Sequence, residues 1–554
     1  MIRNKDGSIV QLSGSRQPSG ALLFERFRGF PLLTTLILAL PSLYFVTFVP
    51  PLWRDSDGFV QIAMRLNFIN VIHFPPLYCL GSRVPLFIGS LLDSTALSRG
   101  FRGISMDPPI LTNLGIFLLV SVQHLLLIGA LLITCVTITG RKEIRWAIAA
   151  FFALNPALYA FANCVGSEAF SNVLVLLVAV LGLRFVLEPK THQLRLLFLA
   201  LVAAILTRHV NGILCGLLPG TLILLTALRI FPSTDSVYRP GLSAFPLPKL
   251  LQTLGLVILV GVAAIGTAKA TVWLICRVKK IPDVSRLGYT FQWRLDYLTR
   301  VDPVVRKATL ARISTQLHDP ATTYAIQRFE ENLNSKKPWD PEILSRILYE
   351  RLESDETLRD GKERRVAVDH RLNRLAQAVL LSGGQDLYNA ISEDFRISLM
   401  FAPGRICGEP FYGTDWLIGR ANQDVFAPLR SLSTFQLPAG TFVQRWLKDP
   451  YLCLWSKVPL WSLALLVMIE VLIGLTWGSL RRSQLPLLLH AMAAVATGAV
   501  MLLANCSLTF RAPRFALSTY ILFLFAFILA TTKLCEAFRF LPWRTWASLC
   551  VRSK

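Results

Sequence analysis

This sequence is poor in charge. Of its 554 residues only 16% are Asp, Glu, Lys or Arg, while 53% are hydrophobic, against about a quarter charged in a soluble chain. The shortfall excludes an ordinary soluble globular protein and points to an integral membrane protein. Paired cysteine motifs are missing as well. The ten cysteines are scattered, with no C-x-x-C and no spacing that suggests zinc. Cys135 and Cys215 sit inside apolar runs as small core residues. Cys407 and Cys453 share one long connection and would pair only if it lies outside the cytosol, and nothing in their spacing speaks for that. No small-residue cleavage site follows the first apolar run, so the polar leader before Pro31 is expected to introduce an anchor rather than a removable signal. Residues 1–275 and 276–554 do not repeat one another, as the halves of many transporters do.

Long apolar runs, by contrast, are abundant. A helix rises about 1.5 Å per residue, so about 20 apolar residues span the hydrocarbon core. Windows of this kind lie near 31–50, 112–137, 146–164, 169–187, 196–212, 213–231, 250–275, 459–478, 485–505 and 515–532. They predict an all-α membrane protein with about ten crossings. Three segments do not qualify: a basic leader over 1–30, a mixed, proline-containing stretch over 51–111 with a short amphipathic pattern, and a long insert over 276–458. The insert reads as mostly helical from runs such as "DPEILSRILYERLESDETLRDGKERRVAVDHRLNRLAQ".

The formal charge is +23, yet the insert is nearly balanced, with 27 basic and 22 acidic residues. The excess therefore belongs to the membrane part. With the leader inside, the cytoplasmic connections are "GRKEIR" (140–145), "EPKTHQLR" (188–195), 230–249, "RRS" (481–483) and the tail 533–554 with Lys533, Arg539, Arg544, Arg552 and Lys554. This is the positive-inside pattern, and inverting the chain would put nearly every basic short loop on the wrong face. The charge is a topology signal and not a nucleic-acid footprint. The expected organisation is a cytoplasmic leader (1–30), a membrane module (31–275) with a first outer loop (51–111), an extracytoplasmic insert (276–458), closing helices (459–532) and a cytoplasmic tail (533–554).

That topology gathers unusual residues on the outer face: Asp55, Asp57, His73, Glu168, Arg208, His209, Asn211, Arg511 and Arg514. Ionisable groups beside hydrocarbon are costly and tend to be functional. Plainer roles exist for several. Arg511 and Arg514 suit snorkelling to the interface, Glu168 in "VGSEAFSN" suits the positive end of a helix dipole, and His73 and His209 suit ordinary interfacial positions. Asp55 and Ser56 suit a helix cap, but a cap needs one short polar residue, and "RDSDGF" supplies a second carboxylate two positions on.

In this order the motifs resemble membrane glycosyltransferases of the GT-C type, among them protein mannosyltransferases and bacterial lipid A transferases. "RDSDGFVQIA" followed by "HFPPLYCLGSRVP" is similar to their first outer loop. "ALNPALYAFANCVGSEAFSNVLVLLVAVL" looks like their third and fourth helices joined by a turn carrying an acid, and "ILTRHVNGIL" like their next basic turn. "FRAPRFALSTYILFLFAF" looks like their last segment, with Phe515 where tyrosine is more usual. The likeness covers about 30–230 well and the last hundred residues more loosely. It implies a polyprenyl-phosphate sugar donor and inverting transfer to a glycan, lipid or protein acceptor on the outer face of a multi-pass protein, as in the bacterial inner membrane. It implies an aspartate base in the first outer loop. Counting back from Ala63 favours Asp55, with Asp57 as the fallback. Some relatives hold a divalent metal through a second acid, and Glu168 stands where that acid would be. Hard oxygen ligands would suit Mg²⁺ or Mn²⁺, and the acid count alone leaves metal use open.

The chemistry has its own logic. A sugar phosphate is already a good leaving group, so a base must take the acceptor proton and cations must hold the phosphate. Arg208, Arg511 and Arg514 could do the second, with His73, His209 and Asn211 as candidate substrate contacts. Two other classes compete: a multi-pass secondary transporter of an anionic solute, and a scaffold in which the insert docks a partner. Within the transferase reading the insert would cover the site or recognise the acceptor, and "GQDLYNAISEDFRISLMFAPGRICGEPFYGTDW" spaces aromatics among acids in a way compatible with sugar contact.

Overall fold

The structure is a computed structural model and describes residues 31–48, 52–53, 63, 75–92, 112–230, 247–282, 285, 287–335, 340–354, 358, 360–402, 458–476, 484–509 and 513–538. Cys407 and Cys453 lie outside these residues. The chain is an all-α membrane protein. In order, its membrane part begins with α1 (Leu32–Phe48), the short strand β1 (Leu52–Trp53), α2 (Pro76–Leu92), α3 (Asn113–Ile138), α4 (Lys142–Ala153), α5 (Pro156–Ala162) and β2 (Cys164–Val165). It continues with α6 (Ser167–Leu187), α7 (Thr191–Thr207), a 3₁₀ turn (His209–Gly216), α8 (Leu217–Ile230) and α9 (Leu247–Lys279).

The insert supplies α10 (Leu287–Phe291), a 3₁₀ turn (Gln292–Thr299), α11 (Pro303–Leu317), α12 (Pro320–Asn334), α13 (Ile343–Glu353), α14 (Gly361–Ser382) and α15 (Gly384–Leu399). The chain closes with α16 (Leu460–Thr476), α17 (Leu485–Leu508), a 3₁₀ turn (Pro513–Ala516) and α18 (Leu517–Phe538).

Each of the ten apolar windows falls on helix. Among the described residues six spans are long and apolar enough to cross a membrane, or seven if α4 and α5, bent by 62° from one another, form one. The bend replaces the straight helix expected over 146–164. Pro156 has no N–H to give and forbids helical backbone before it, so Asn155 turns extended at φ −105° and ψ 95°. Four further apolar helices of 17 residues are α1, α2, α7 and α16. Of these, α2 lies in the stretch expected to be only amphipathic. It runs against α3 so closely that a Cβ on Gly89 would stand 2.2 Å from the Gly115 Cα, a contact only glycines allow and one typical of helices packed in lipid. The final helix extends to Phe538, which takes Lys533 out of the tail and into α18.

Polar side chains tie the apolar helices together. His124 meets Ser42 at 3.0 Å, the Tyr159 hydroxyl donates to the Leu38 carbonyl at 3.1 Å, and Asn155 binds the Tyr520 hydroxyl. In lipid, where apolar surfaces have no preference for one another over acyl chains, such bonds and tight packing hold helices in register.

The insert has a core of its own, with Phe291, Leu298, Ile313, Phe329, Leu348, Leu372 and Val379 buried. Its helices start where the sequence says they should: Asp302 and Asp319 cap α11 and α12, each followed by proline at the first helical position. A charged clasp fastens the insert to the membrane part. Arg294, wholly buried, pairs with Asp394 and reaches the carbonyl of Thr509, just past α17, at 3.4 Å. Arg300 completes it, 2.9 Å from Asp394 and 2.5 Å from Asp296. Burial pushes the Asp394 carboxyl up, but the bonds from Arg300 and Arg294 outweigh it and hold the group below the usual carboxylate range.

Candidate functional site

The site builds from a two-residue parallel pairing. Leu52 lies opposite Cys164 and Trp53 opposite Val165, so the chain leaving α1 and the chain leaving α5 run side by side in one direction. Three residues beyond Val165 comes Glu168, in the first turn of α6, where a carboxylate is favoured by the helix dipole. Two residues beyond Trp53 the sequence places Asp55.

Glu168 faces the end of α7. There the backbone of Arg208 leaves the helix extended, at φ −151° and ψ 128°, and swings its guanidinium to 3.4 Å from the Glu168 carboxylate. Both side chains are mostly but not wholly covered, 17% and 13% exposed. Beneath them Asn211 is fully buried, its amide donating to the Ala204 carbonyl at 2.9 Å and to Ser171 at 3.0 Å. It pins the 3₁₀ turn to α6, and His209 remains exposed on that turn. One helical turn below Glu168, Asn172 is 3% exposed, and neither its amide oxygen nor its nitrogen has a partner among the described residues. Buried polar groups are nearly always paired.

The strand pairing is braced by residues that the sequence reading did not single out. The Gln123 amide donates to the carbonyls of Ala162 and Cys164, at 2.8 and 3.0 Å, and accepts from the Tyr78 hydroxyl at 3.1 Å. Tyr78 stacks edge-on against Phe170 at 5.1 Å and joins Cys79 and Cys276 in a small apolar cluster. Arg83 donates to the carbonyl of Ala63 at 2.7 Å, fixing the chain after the first-loop aspartates to α2. The pair Gln123–His124 inside the apolar run "SVQHLLL" was the readable hint, since polar residues at that depth need a reason.

Of the expected site residues, Glu168, Arg208, His209 and Asn211 thus come together at one end of the bundle. Asp55, Asp57, His73 and Arg511 lie outside the described residues. Arg514 lies on the 3₁₀ turn Pro513–Ala516, which Asn505 steadies by donating to the Phe515 carbonyl at 3.1 Å; its side chain lies outside the described residues. Among the described residues no three His, Cys, Asp or Glu gather as metal ligands would, and Glu168 is committed to a guanidinium.

No family model matches this chain, and no curated protein matches it. Among solved structures it is similar to the archaeal oligosaccharyltransferase AglB from Archaeoglobus fulgidus in complex with an inhibitory peptide and a dolichol-phosphate. The TM-score is 0.38 at 12% identity, over 91% of this chain and 50% of that one. The chain spans about half the length of that structure.

Proposed function

We propose that this protein is a membrane glycosyltransferase that moves a sugar from a polyprenyl-phosphate donor to an acceptor hydroxyl at the outer membrane surface. The observation that carries the reading is the parallel pairing of Leu52–Trp53 with Cys164–Val165. It joins the approach to Asp55 with the approach to Glu168, whose partner Arg208 is a guanidinium suited to phosphate oxygens. In this mechanism Asp55 accepts the acceptor proton as the oxygen attacks the anomeric carbon from the face opposite the phosphate. The bond from anomeric carbon to phosphate oxygen breaks, its electron pair leaves with the polyprenyl phosphate, and the sugar is inverted. Arg208, with Arg511 and Arg514, neutralises the charge growing on the phosphate. Glu168 orients Arg208, and the unpartnered Asn172 amide is available to a donor oxygen.

The test is donor turnover by purified protein in detergent, using synthetic polyprenyl-phosphate sugars, with water or a supplied glycan as acceptor. Asp55→Asn keeps shape and removes the base, and the expected loss is roughly 10²-fold or more. Full turnover in that variant would move the base to Asp57. A wild type that turns over no donor yet carries anionic solutes into proteoliposomes would replace the reading with transport.

A further inference from the structure

Among the described residues, two that are not glycine have positive φ, Lys280 at 52° and His318 at 45°. Lys280 lines a cavity of about 880 Å³ where the end of α9 meets the insert, and Leu317 and Asp319, the neighbours of His318 in the chain, line it as well. The backbone at Lys280 closes α9 in the manner that usually employs glycine. The Ile281 N–H returns to the Cys276 carbonyl at 2.8 Å and the Lys280 N–H to that of Arg277 at 3.3 Å, with Lys280 in the left-handed position. A lysine held there carries a conformational cost that glycine would not, and such costs collect where a side chain serves a ligand.

The lining chemistry says which ligand. Asp319 is already engaged by Arg371 at 3.0 Å and by the Thr322 N–H at 3.0 Å. Lys280, His370 and Arg374 line the same cavity, with His370 and Arg374 one turn apart on α14, and they can donate to an anion. Glu363, two turns before His370 on the same helix, lines it too and can accept from hydroxyl groups. Cations for an anion, a carboxylate for hydroxyls and the apolar side chains of Leu358, Val366 and Ala367 together describe a charged carbohydrate. Ile281, between the lining residues Lys280 and Pro282, packs into the Tyr78–Cys79–Cys276 cluster together with Phe170, two residues from Glu168.

We infer that this cavity binds an anionic carbohydrate, a sugar bearing carboxylate or phosphate. Its role as the acceptor site rests on the transferase reading; its binding does not. The experiment is equilibrium binding to the purified full chain in detergent, without donor. The probes are glucose 6-phosphate, a galacturonic acid trimer, neutral maltotriose and inorganic phosphate, with an anionic phospholipid added to the micelles as competitor. The two anionic sugars should bind and maltotriose should not. Lys280→Gly and Arg374→Gln should each weaken binding by roughly tenfold, and Lys280→Gly should at the same time raise the melting temperature by relieving the backbone. Inorganic phosphate binding as tightly as the sugars, or the phospholipid displacing them completely, would overturn the carbohydrate assignment. Affinity unchanged in both variants, or no binding of either sugar, would overturn the site. Either failure leaves the transferase reading standing, since donor turnover in Asp55→Asn tests that reading separately.

Discussion

The two ends of the membrane bundle hold charged residues for opposite purposes. At the end away from the strands, Lys533 donates to the Ile138 carbonyl at 2.6 Å and to Glu536 at 2.9 Å, and Thr139 donates to Glu536 at 2.6 Å. Arg184 adds a bond to Thr137 at 3.0 Å. Around Lys533 each charge meets a close partner, so this end is a latch between α3 and α18. At the strand end the ion pair is looser, at 3.4 Å, and the amide of Asn172 is buried with no partner among the described residues. Satisfied polar groups in low dielectric specify a fixed structure, while unsatisfied ones cost stability. Close pairing makes the Lys533 cluster a structural latch, and the looser pair at the strand end is the one proposed to serve a ligand.

Three substitutions sharpen or break that contrast. Lys533→Ala should have the largest effect on folding, because it leaves Glu536 charged in a mostly buried place. A loss of about 3 kcal/mol is expected, read as a lowered melting temperature in detergent, with the apparent KM for donor lipid unchanged in the folded fraction. Arg208→Ala should differ in what else it changes. It leaves Glu168, covered about as well as Glu536, without its partner, so folding should again lose about 3 kcal/mol or somewhat less, the pair being longer; under the transferase proposal, loss of the guanidinium should also raise the apparent KM for donor about tenfold, and an unchanged KM would make Arg208 a structural residue like Lys533. The smallest effect belongs to Asn172→Leu. Replacing an unpartnered amide by a side chain of similar size should stabilise the protein by about 1 kcal/mol while slowing donor turnover. A lowered melting temperature with normal turnover would show that the strand end is as closed as the other.

Much of the site's neighbourhood was legible in the chain, and the reason is local. Glu168 is announced by a glycine, a serine and a following apolar run, which is how a helix begins, and Arg208 by a break in one. What Gln123 and Arg83 bind was not legible, because their roles depend on carbonyls 39 and 20 residues away. Asn172 and Ser171 look alike in "SEAFSN", yet Ser171 pairs with Asn211 while Asn172 has no partner among the described residues. Position on a helix is written locally, and the identity of what a side chain faces is not.

By itself, the sequence determined that the chain is helical and lies in a membrane, since some 20 consecutive apolar residues have few other stable arrangements. It also determined where several helices start, through caps and prolines, as at Thr112, Asp302 and Asp319. Only the tertiary structure decided that β1 lies beside β2, that Gly89 crosses Gly115, and that the clasp of Arg294 with Asp394 fastens the insert at the end of α17. It alone decided that Lys280 at the end of α9 and Arg374 on α14 line one cavity. Such juxtapositions depend on how separate segments pack, and packing is a property of pairs of surfaces that no single stretch of sequence contains.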